Sequence, residues 1–225
     1  LRHVEFINMG LPSETVSGLS EPGHAGGQFP RPTLHERLAR ALDQLHPDLI
    51  FACYGMNDGI YHPLSDERFQ KYQEGIKLLR SKASGHGAEV IHVTPPVFDA
   101  VPLKGSTLPA GLPEYRQPFE GYDGVLGKYS DWLIERRGDE WKVISLHAEM
   151  LQHLNKRRAG TPNFRLAGDG VHANSTGHWL ITQQILAYLG VTPSVDSAAI
   201  DAAARKVERG AVSDLAFNAG EISFA

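Results

Sequence analysis

An aspartate and a histidine lie three positions apart late in the chain, in the run Asp169, Gly170, Val171, His172. In a loop, this spacing lets the carboxylate fold back onto one imidazole nitrogen, while the other nitrogen stays free to act as a general base. A loop pair of this kind is more often a surface capping interaction, so the rest of the sequence must decide between the two. Asp169 and His172 are therefore candidate catalytic residues.

A second polar group follows an apolar run, as Gly55, Asn57 and Asp58 in a G-x-N-D arrangement. The side-chain amide of Asn57 could direct an N–H at an oxygen that gains negative charge during a reaction. The competing interpretation is an ordinary Asn/Asp turn after a strand. Asp58 and Tyr61 are candidate substrate-binding residues, and the long Pro-rich segment 97–120 is expected to help shape a pocket with Tyr54, Tyr61 and Phe98.

The elements that would position these loops alternate between strand and helix. Short apolar runs predict four strands, at residues 4–7, 49–53, 88–94 and 141–147, the second of them covered on both faces. Amphipathic runs predict the helices, with a capping box of Thr33 and Glu36 on the first and caps at Ser65 and Asn174 on two others. Such alternation predicts an α/β fold with a parallel sheet, whose sites lie beyond the carboxyl ends of the strands.

Two regions are expected from the order of these elements. Residues 1–190 form the α/β domain, and residues 191–225 form a C-terminal helical extension with an alanine-rich helix around residues 197–208.

The motifs, taken in order along the chain, resemble the SGNH hydrolase superfamily, also called the GDSL esterase and lipase family. The family's N-x-x-x-x-G-x-T pattern aligns with Asn8 to Thr15, and its G-x-N-D and D-x-x-H blocks follow in the same order. The resemblance covers about residues 4–189. It implies a three-layer sandwich with a flavodoxin-like parallel sheet, and an ester hydrolase of the acylesterase or acetylesterase type.

The resemblance also assigns roles to residues. It makes His172 the general base, Asp169 the acid that orients it, and Asn57 a donor of the oxyanion hole. Ser13 stands where the family usually has an oxyanion-hole glycine. Since that glycine acts through its backbone N–H, Ser13 is expected to serve in the same way.

The nucleophilic serine of the family's G-D-S block has no counterpart in this sequence. We expect the serine, and the first strand of the sheet with it, upstream of residue 1. One alternative is that Ser13, Ser17 or Ser20 replaces it, although none has the sequence context of a nucleophile. The other is a catalytically inactive SGNH-like module that binds carbohydrate or acts as a scaffold.

Composition narrows the remaining possibilities. With 225 residues, 41% of them hydrophobic, and a formal charge of −4, the chain has neither a basic patch for nucleic acid nor a long apolar segment for a membrane. The sequence predicts a soluble enzyme that acts on a small-molecule or carbohydrate ester without cofactor or metal. The single cysteine, Cys53, is expected to be a core thiol and leaves the compartment open, including export from a bacterial cell. Oligomeric state is also left open.

Overall fold

The computed structural model describes residues 4–191 and four short segments beyond them, residues 199–201, 205–209, 216–218 and 221–223. Contacts divide the chain into two compact units, Leu1–Ile185 and Leu186–Ala225. This division falls between residues 185 and 186. The domain boundary expected at residue 190 stays a prediction.

The centre of the first unit is a parallel sheet of three strands. Strands β1 (Leu49–Ala52), β2 (Glu89–Val93) and β3 (Lys142–Ile144) lie in the order β1-β2-β3. The register places Phe51 beside Ile91, and Ile91 beside Lys142. Each strand coincides with a predicted apolar run, and the parallel pairing confirms the predicted α/β class.

Five helices flank this sheet: α1 (Leu34–Leu45), α2 (Asp66–Gly85), α3 (Tyr122–Glu135), α4 (Leu146–Gly160) and α5 (Ser175–Tyr188). Three short 3-10 helices cover His24–Gly27, Val101–Leu103 and Arg136–Asp139. The predicted caps at Ser65 and Asn174 form, because Ser65 Oγ accepts the Arg68 N–H and Asn174 Oδ1 accepts the Gly177 N–H. The predicted capping box is wrong, since Thr33 makes no side-chain cap.

Alternate residues of β2 point to opposite sides of the sheet, and each side carries its own apolar core. On one side Val90 packs in a cluster that includes Leu42 of α1, Ile76 of α2 and Leu126 of α3. On the other side lies a second cluster, formed by Ile91, Val93, Ile144, Leu146, Met150 and Leu180. The first unit therefore has three layers, with α1 to α3 on one face of the sheet and α4 and α5 on the other.

Three predictions for the first 53 residues are wrong. Residues 4–7 form no strand, and Val4, Phe6 and Ile7 are 64%, 87% and 50% exposed. Strand β1 has a single neighbour among the described residues and is only partly covered, while Cys53 is exposed rather than in the core. The apolar pattern indicated which side chains prefer burial, but a strand also needs a neighbouring backbone with which to hydrogen-bond.

The second unit contains strands where a helix was predicted. Strand β4 (Ala199–Asp201) pairs antiparallel with β5 (Lys206–Arg209), and β6 (Ala216–Asn218) pairs with β7 (Glu221–Ser223). Ile200 faces Val207 across the first pair. The helix predicted around residues 197–208 is therefore wrong where the structure describes it, because the backbone pairs with a second strand there and tertiary context overrides the helix preference of the alanines.

No helix within the described ranges is both long enough and apolar enough to cross a membrane.

Close packing between α2 and a loop explains why one helix position is glycine. A Cβ added at Gly75 would lie 2.0 Å from the carbonyl oxygen of Val16. Only the absence of a side chain lets the helix approach this loop, which follows the N-x-x-x-x-G-x-T pattern at Asn8 to Thr15.

We therefore expect Gly75→Ala to lower the free energy of unfolding by about 1–3 kcal/mol, because the new methyl group must push the Val16 backbone away. Urea denaturation measures this change. Gly124→Ala in α3 is the matched control, since its Cβ would meet open space. There alanine should stabilise by up to about 1 kcal/mol. Equal effects at the two positions would contradict the packing argument.

Candidate active site

One buried carboxylate joins the loop of the N-x-x-x-x-G-x-T pattern to the loop of the G-x-N-D motif. Asp58 has no exposed surface, and its Oδ1 accepts the backbone N–H groups of Val16 (2.9 Å) and Ser17 (2.8 Å). Its Oδ2 accepts the Gly55 N–H at 2.9 Å. Burial raises the pKa of Asp58, and the three hydrogen bonds oppose that rise. Because both oxygens are occupied and inaccessible, Asp58 holds the loops together, which corrects the predicted substrate-binding role.

Gly55 allows the turn that places Asp58 and Asn57. Its φ is +132°, a conformation that residues with a side chain rarely adopt, and an added Cβ would lie 2.9 Å from Pro95. The turn closes when the Asp58 N–H donates to the Gly55 carbonyl at 3.1 Å. The glycine of the G-x-N-D motif is thus required by backbone geometry and by the neighbouring Pro95.

The amide of Asn57 is held in one orientation. Its Oδ1 accepts from Arg31 Nη1 and from the Tyr61 hydroxyl, each at 3.1 Å. Its Nδ2 donates to the Glu14 carbonyl at 3.3 Å. An amide nitrogen carries two hydrogens, so one N–H remains for an incoming oxygen. This is the arrangement that an oxyanion-hole asparagine needs.

Ser13 lies in the loop beside this amide. Its φ is +64°, the left-handed conformation that glycine adopts most easily, at the position where the family pattern has glycine. The Ser13 carbonyl accepts from Arg31 Nη1 at 3.4 Å. The loop is further held by Glu14, which is nearly buried and forms a two-pronged ion pair with Arg37.

Tyr54 belongs to this support rather than to a pocket. Its hydroxyl donates to Glu14 Oε2 at 2.6 Å. Tyr61 is likewise engaged through its hydroxyl with Asn57, and its ring packs near Phe98 and Tyr122, with centroids 6.2 and 5.0 Å away. Its predicted contact with substrate stays a prediction.

The predicted pair of Asp169 and His172 forms a hydrogen-bonded dyad. His172 Nδ1 lies 2.6 Å from Asp169 Oδ2, and Asp169 Oδ1 accepts the backbone N–H groups of His172 (2.8 Å) and Val171 (3.0 Å). Burial disfavours the charged carboxylate, but the hydrogen bonds from His172 and Val171 outweigh it and lower the pKa of Asp169 to about 2. The His172 side chain is 85% exposed, so its Nε2 can be reached from solvent.

A second buried ion pair positions the loop of this dyad. Arg158 Nη1 and Nη2 donate to the two oxygens of the buried Asp99, at 3.1 and 2.5 Å. The Asp99 N–H then donates to the Gly170 carbonyl at 2.9 Å, in the middle of the D-x-x-H motif. Gly170 has a φ of +77°, and a Cβ there would lie 2.3 Å from the Asp99 carbonyl oxygen. The segment 97–120 therefore contributes a support for the dyad.

Tyr61 lies between Asn57, which accepts from its hydroxyl, and Arg31, whose guanidinium lies over its ring. Burial raises the pKa of Tyr61 to about 12, and the negative charges of Glu21 and Asp169 add to this rise, while Arg31 opposes it. Asp169 thus acts electrostatically on the residue that binds Asn57. No hydrogen bond joins His172 directly to Asn57 or Ser13 in the part of the chain that the structure describes.

Among the residues that the structure describes, none of the three alternative serines is hydrogen-bonded to His172. The Ser17 N–H binds Asp58, and its hydroxyl accepts from the Leu19 N–H. The Ser20 hydroxyl accepts from the Arg31 N–H. Both serines act as loop residues in this structure.

Sequence reasoning missed the arginines and acids that support the site: Arg31, Glu21, Arg37, Glu14, Arg158 and Asp99. The one local signal was Arg31 itself, a cation between two prolines in an otherwise Gly- and Pro-rich loop.

Comparison with known proteins agrees with this architecture. None of the curated proteins matches the chain in sequence. Among solved structures, a catalytic mutant of Axe2, an acetylxylan esterase from Geobacillus stearothermophilus, gives a TM-score of 0.52 at 14% identity, over 72% of this chain and 72% of that chain. The acetyl xylan esterase AlAXEase gives a TM-score of 0.50 at 18% identity, over 68% of this chain and 73% of that chain.

These similarities show a shared SGNH esterase fold. The model of the GDSL-like Lipase/Acylhydrolase family matches residues 2–180, which include all the loops described above. The chain therefore belongs to the GDSL-like lipase/acylhydrolase family, and is a carboxylic ester hydrolase.

Proposed function

We propose that the protein is a serine esterase that uses a Ser-His-Asp triad. The observation that carries this proposal is the Asp169–His172 dyad, with a 2.6 Å contact on Nδ1 and an accessible Nε2. An exposed imidazole oriented by a carboxylate of low pKa is suited to accept and return a proton. The nucleophilic serine is proposed to lie in residues that precede Leu1.

The reaction follows from these positions. His172 Nε2 takes the proton of the serine hydroxyl as the serine oxygen attacks the ester carbonyl carbon. The carbonyl oxygen becomes negatively charged, and the free N–H of Asn57 and the backbone N–H of Ser13 donate to it. When the intermediate collapses, His172 gives its proton to the leaving alcohol. Water then attacks the acyl-enzyme by the same route and restores the serine.

For the substrate we propose an acetyl ester of a carbohydrate alcohol. Support comes from the fold shared with two acetylxylan esterases and from the aromatic side chain of Tyr61, whose hydroxyl donates to Asn57 Oδ1. Measurements of turnover and serine labelling distinguish this esterase from a catalytically inactive module that only binds carbohydrate or acts as a scaffold.

The proposed general base gives the first test. We expect His172→Ala to lower kcat/KM for p-nitrophenyl acetate by at least about 10³-fold in the full-length protein, because the variant lacks the group proposed to take the serine proton. A fluorophosphonate probe, read by mass spectrometry, should label a serine upstream of Leu1.

His86→Ala is the matched control. His86 also contacts an acid, with Nε2 3.1 Å from Asp43, and it lies on the exposed surface at the end of α2. Its removal should leave turnover unchanged. Turnover that survives in His172→Ala would contradict the role of His172, and the absence of both turnover and a labelled serine in the wild type would favour the binding module.

The orienting role of Asp169 predicts a specific titration. Since His172 helps lower the pKa of Asp169 to about 2, the Asp169 carboxyl signal in a ¹³C NMR titration should change little between neutral pH and about pH 3. In His172→Ala the ring hydrogen bond is lost, and the pKa should rise toward its ordinary value of 3.8. A titration that is the same in both proteins would refute the coupling.

The consequence for activity is testable with Asp169→Asn. Because the carboxylate stays charged above about pH 4, its own titration should not shape the activity profile of the wild type at higher pH. The amide cannot stabilise a protonated imidazole, so kcat/KM should fall by roughly 10³-fold.

The backbone role proposed for Ser13 predicts an effect on stability. Ser13→Gly should raise the free energy of unfolding by up to about 1 kcal/mol, since glycine adopts the left-handed conformation without strain. Ser81→Gly, at an exposed position inside α2, is the opposing control, where glycine should destabilise by about 0.5–1 kcal/mol. Thermal unfolding measures both, and a loss of stability in Ser13→Gly would show that the serine side chain is needed.

A further inference from the structure

The candidate active site contains a buried arginine to which the reaction described above gives no role. The Arg31 side chain is 6% exposed, and its Nε and Nη2 donate to the two oxygens of Glu21 at 2.7 and 2.6 Å. Its Nη1 points the other way, to Asn57 Oδ1 at 3.1 Å and to the Ser13 carbonyl at 3.4 Å. One guanidinium therefore touches both residues of the proposed oxyanion hole.

We propose that Arg31 is a positioning residue that fixes the Asn57 amide with its N–H groups toward the substrate. This inference rests on the proposed esterase function. It concerns the direction of the amide, which decides whether Asn57 stabilises or repels a negatively charged oxygen.

The two neighbours of Asn57 Oδ1 differ in whether they can accept a hydrogen bond. The Tyr61 hydroxyl can donate or accept, so it would tolerate an amide rotated by 180°. A guanidinium can only donate, so a rotated amide would place N–H groups against N–H groups in a buried site. Arg31 thus opposes a rotated amide on the Oδ1 side, as the Glu14 carbonyl, which can only accept, does on the Nδ2 side. Without Arg31, the Glu14 hydrogen bond alone would oppose an amide whose carbonyl oxygen faces the oxyanion.

Arg31 itself is held rigidly. Its backbone N–H donates to Ser20 Oγ at 2.9 Å, and Pro30 and Pro32 restrict the chain on both sides. The Pro32 carbonyl accepts from the Thr15 N–H at 2.9 Å, and this ties the segment to the Ser13 loop. The guanidinium also lies over the Tyr61 ring, 5.4 Å from its centroid. Little conformational freedom is left to the side chain.

The ion pair with Glu21 indicates whether Arg31 acts on the site through its charge or through orientation. Because the carboxylate neutralises the guanidinium through two hydrogen bonds, the pair adds little net positive charge to the site. Its main effect is therefore on orientation. The same pairing leaves the guanidinium unavailable for an anionic group on the substrate.

The test is a double-mutant cycle in the full-length protein, with p-nitrophenyl acetate as substrate. We expect Arg31→Gln to lower kcat by about 10- to 100-fold with little change in KM, somewhat less than the roughly 10²- to 10³-fold expected for Asn57→Ala. In the Asn57→Ala background, Arg31→Gln should lower kcat by no more than about threefold, because its effect passes through the missing amide. Equal effects in both backgrounds would overturn the proposal.

Two further variants separate orientation from folding. Arg31→Lys keeps a cation for Glu21 but cannot supply the planar fork, and it should show the same loss of kcat with less loss of stability. Arg137→Gln is the matched control, since Arg137 donates Nε and Nη2 to the Val143 carbonyl, in β3 and away from the site. It should lower stability and leave kcat unchanged.

An amide spectrum gives a reading that does not need turnover. In ¹⁵N–¹H NMR spectra, the side-chain NH₂ signals of Asn57 should move in Arg31→Gln and stay in place in Arg137→Gln. If the wild type shows no turnover that depends on His172, the proposed esterase function fails, while the spectrum still decides the orientation. If the wild type is active and neither kcat nor the Asn57 signals respond to Arg31→Gln, the inference about Arg31 is wrong.

Discussion

The site depends on a single buried carboxylate. Asp58 accepts three backbone N–H groups from two loops, and no part of it reaches solvent. A buried charge is costly unless its hydrogen-bonding capacity is filled, so the two loops have few alternative arrangements that would satisfy it. The tight approach of α2 at Gly75 and the unusual backbone of Gly55 both serve this arrangement.

Three arginine–carboxylate pairs extend the same principle outward. Arg37 with Glu14, Arg31 with Glu21 and Arg158 with Asp99 are each joined by two hydrogen bonds, and each lies beside a loop that carries a predicted functional residue. Planar guanidinium groups fix both the distance and the angle of their partners. The exposed Asp169–His172 dyad is thus carried by a loop that is held by Asp99, a buried carboxylate paired with Arg158.

Much of the fold and part of the site could be predicted from local patterns. The apolar runs of β1, β2 and β3, the helix caps at Ser65 and Asn174, and the Asp169–His172 contact all involve residues close together in sequence. The predictions failed where a distant partner decides the outcome. Residues 4–7 have an apolar pattern but no paired strand, and the alanine-rich segment near residue 200 pairs across a hairpin.

The sequence by itself determined the family, the α/β class and the candidate roles of Asn57, Ser13, Asp169 and His172. Only the tertiary structure decided that Asp58 is a buried support and that Arg31 holds the Asn57 amide. The contact of Val16 with Asp58 spans 42 residues, that of Arg31 with Asn57 spans 26, and that of Arg158 with Asp99 spans 59. No local pattern specifies such partners, because a buried donor or acceptor takes whichever complementary group the packed chain brings within hydrogen-bonding distance.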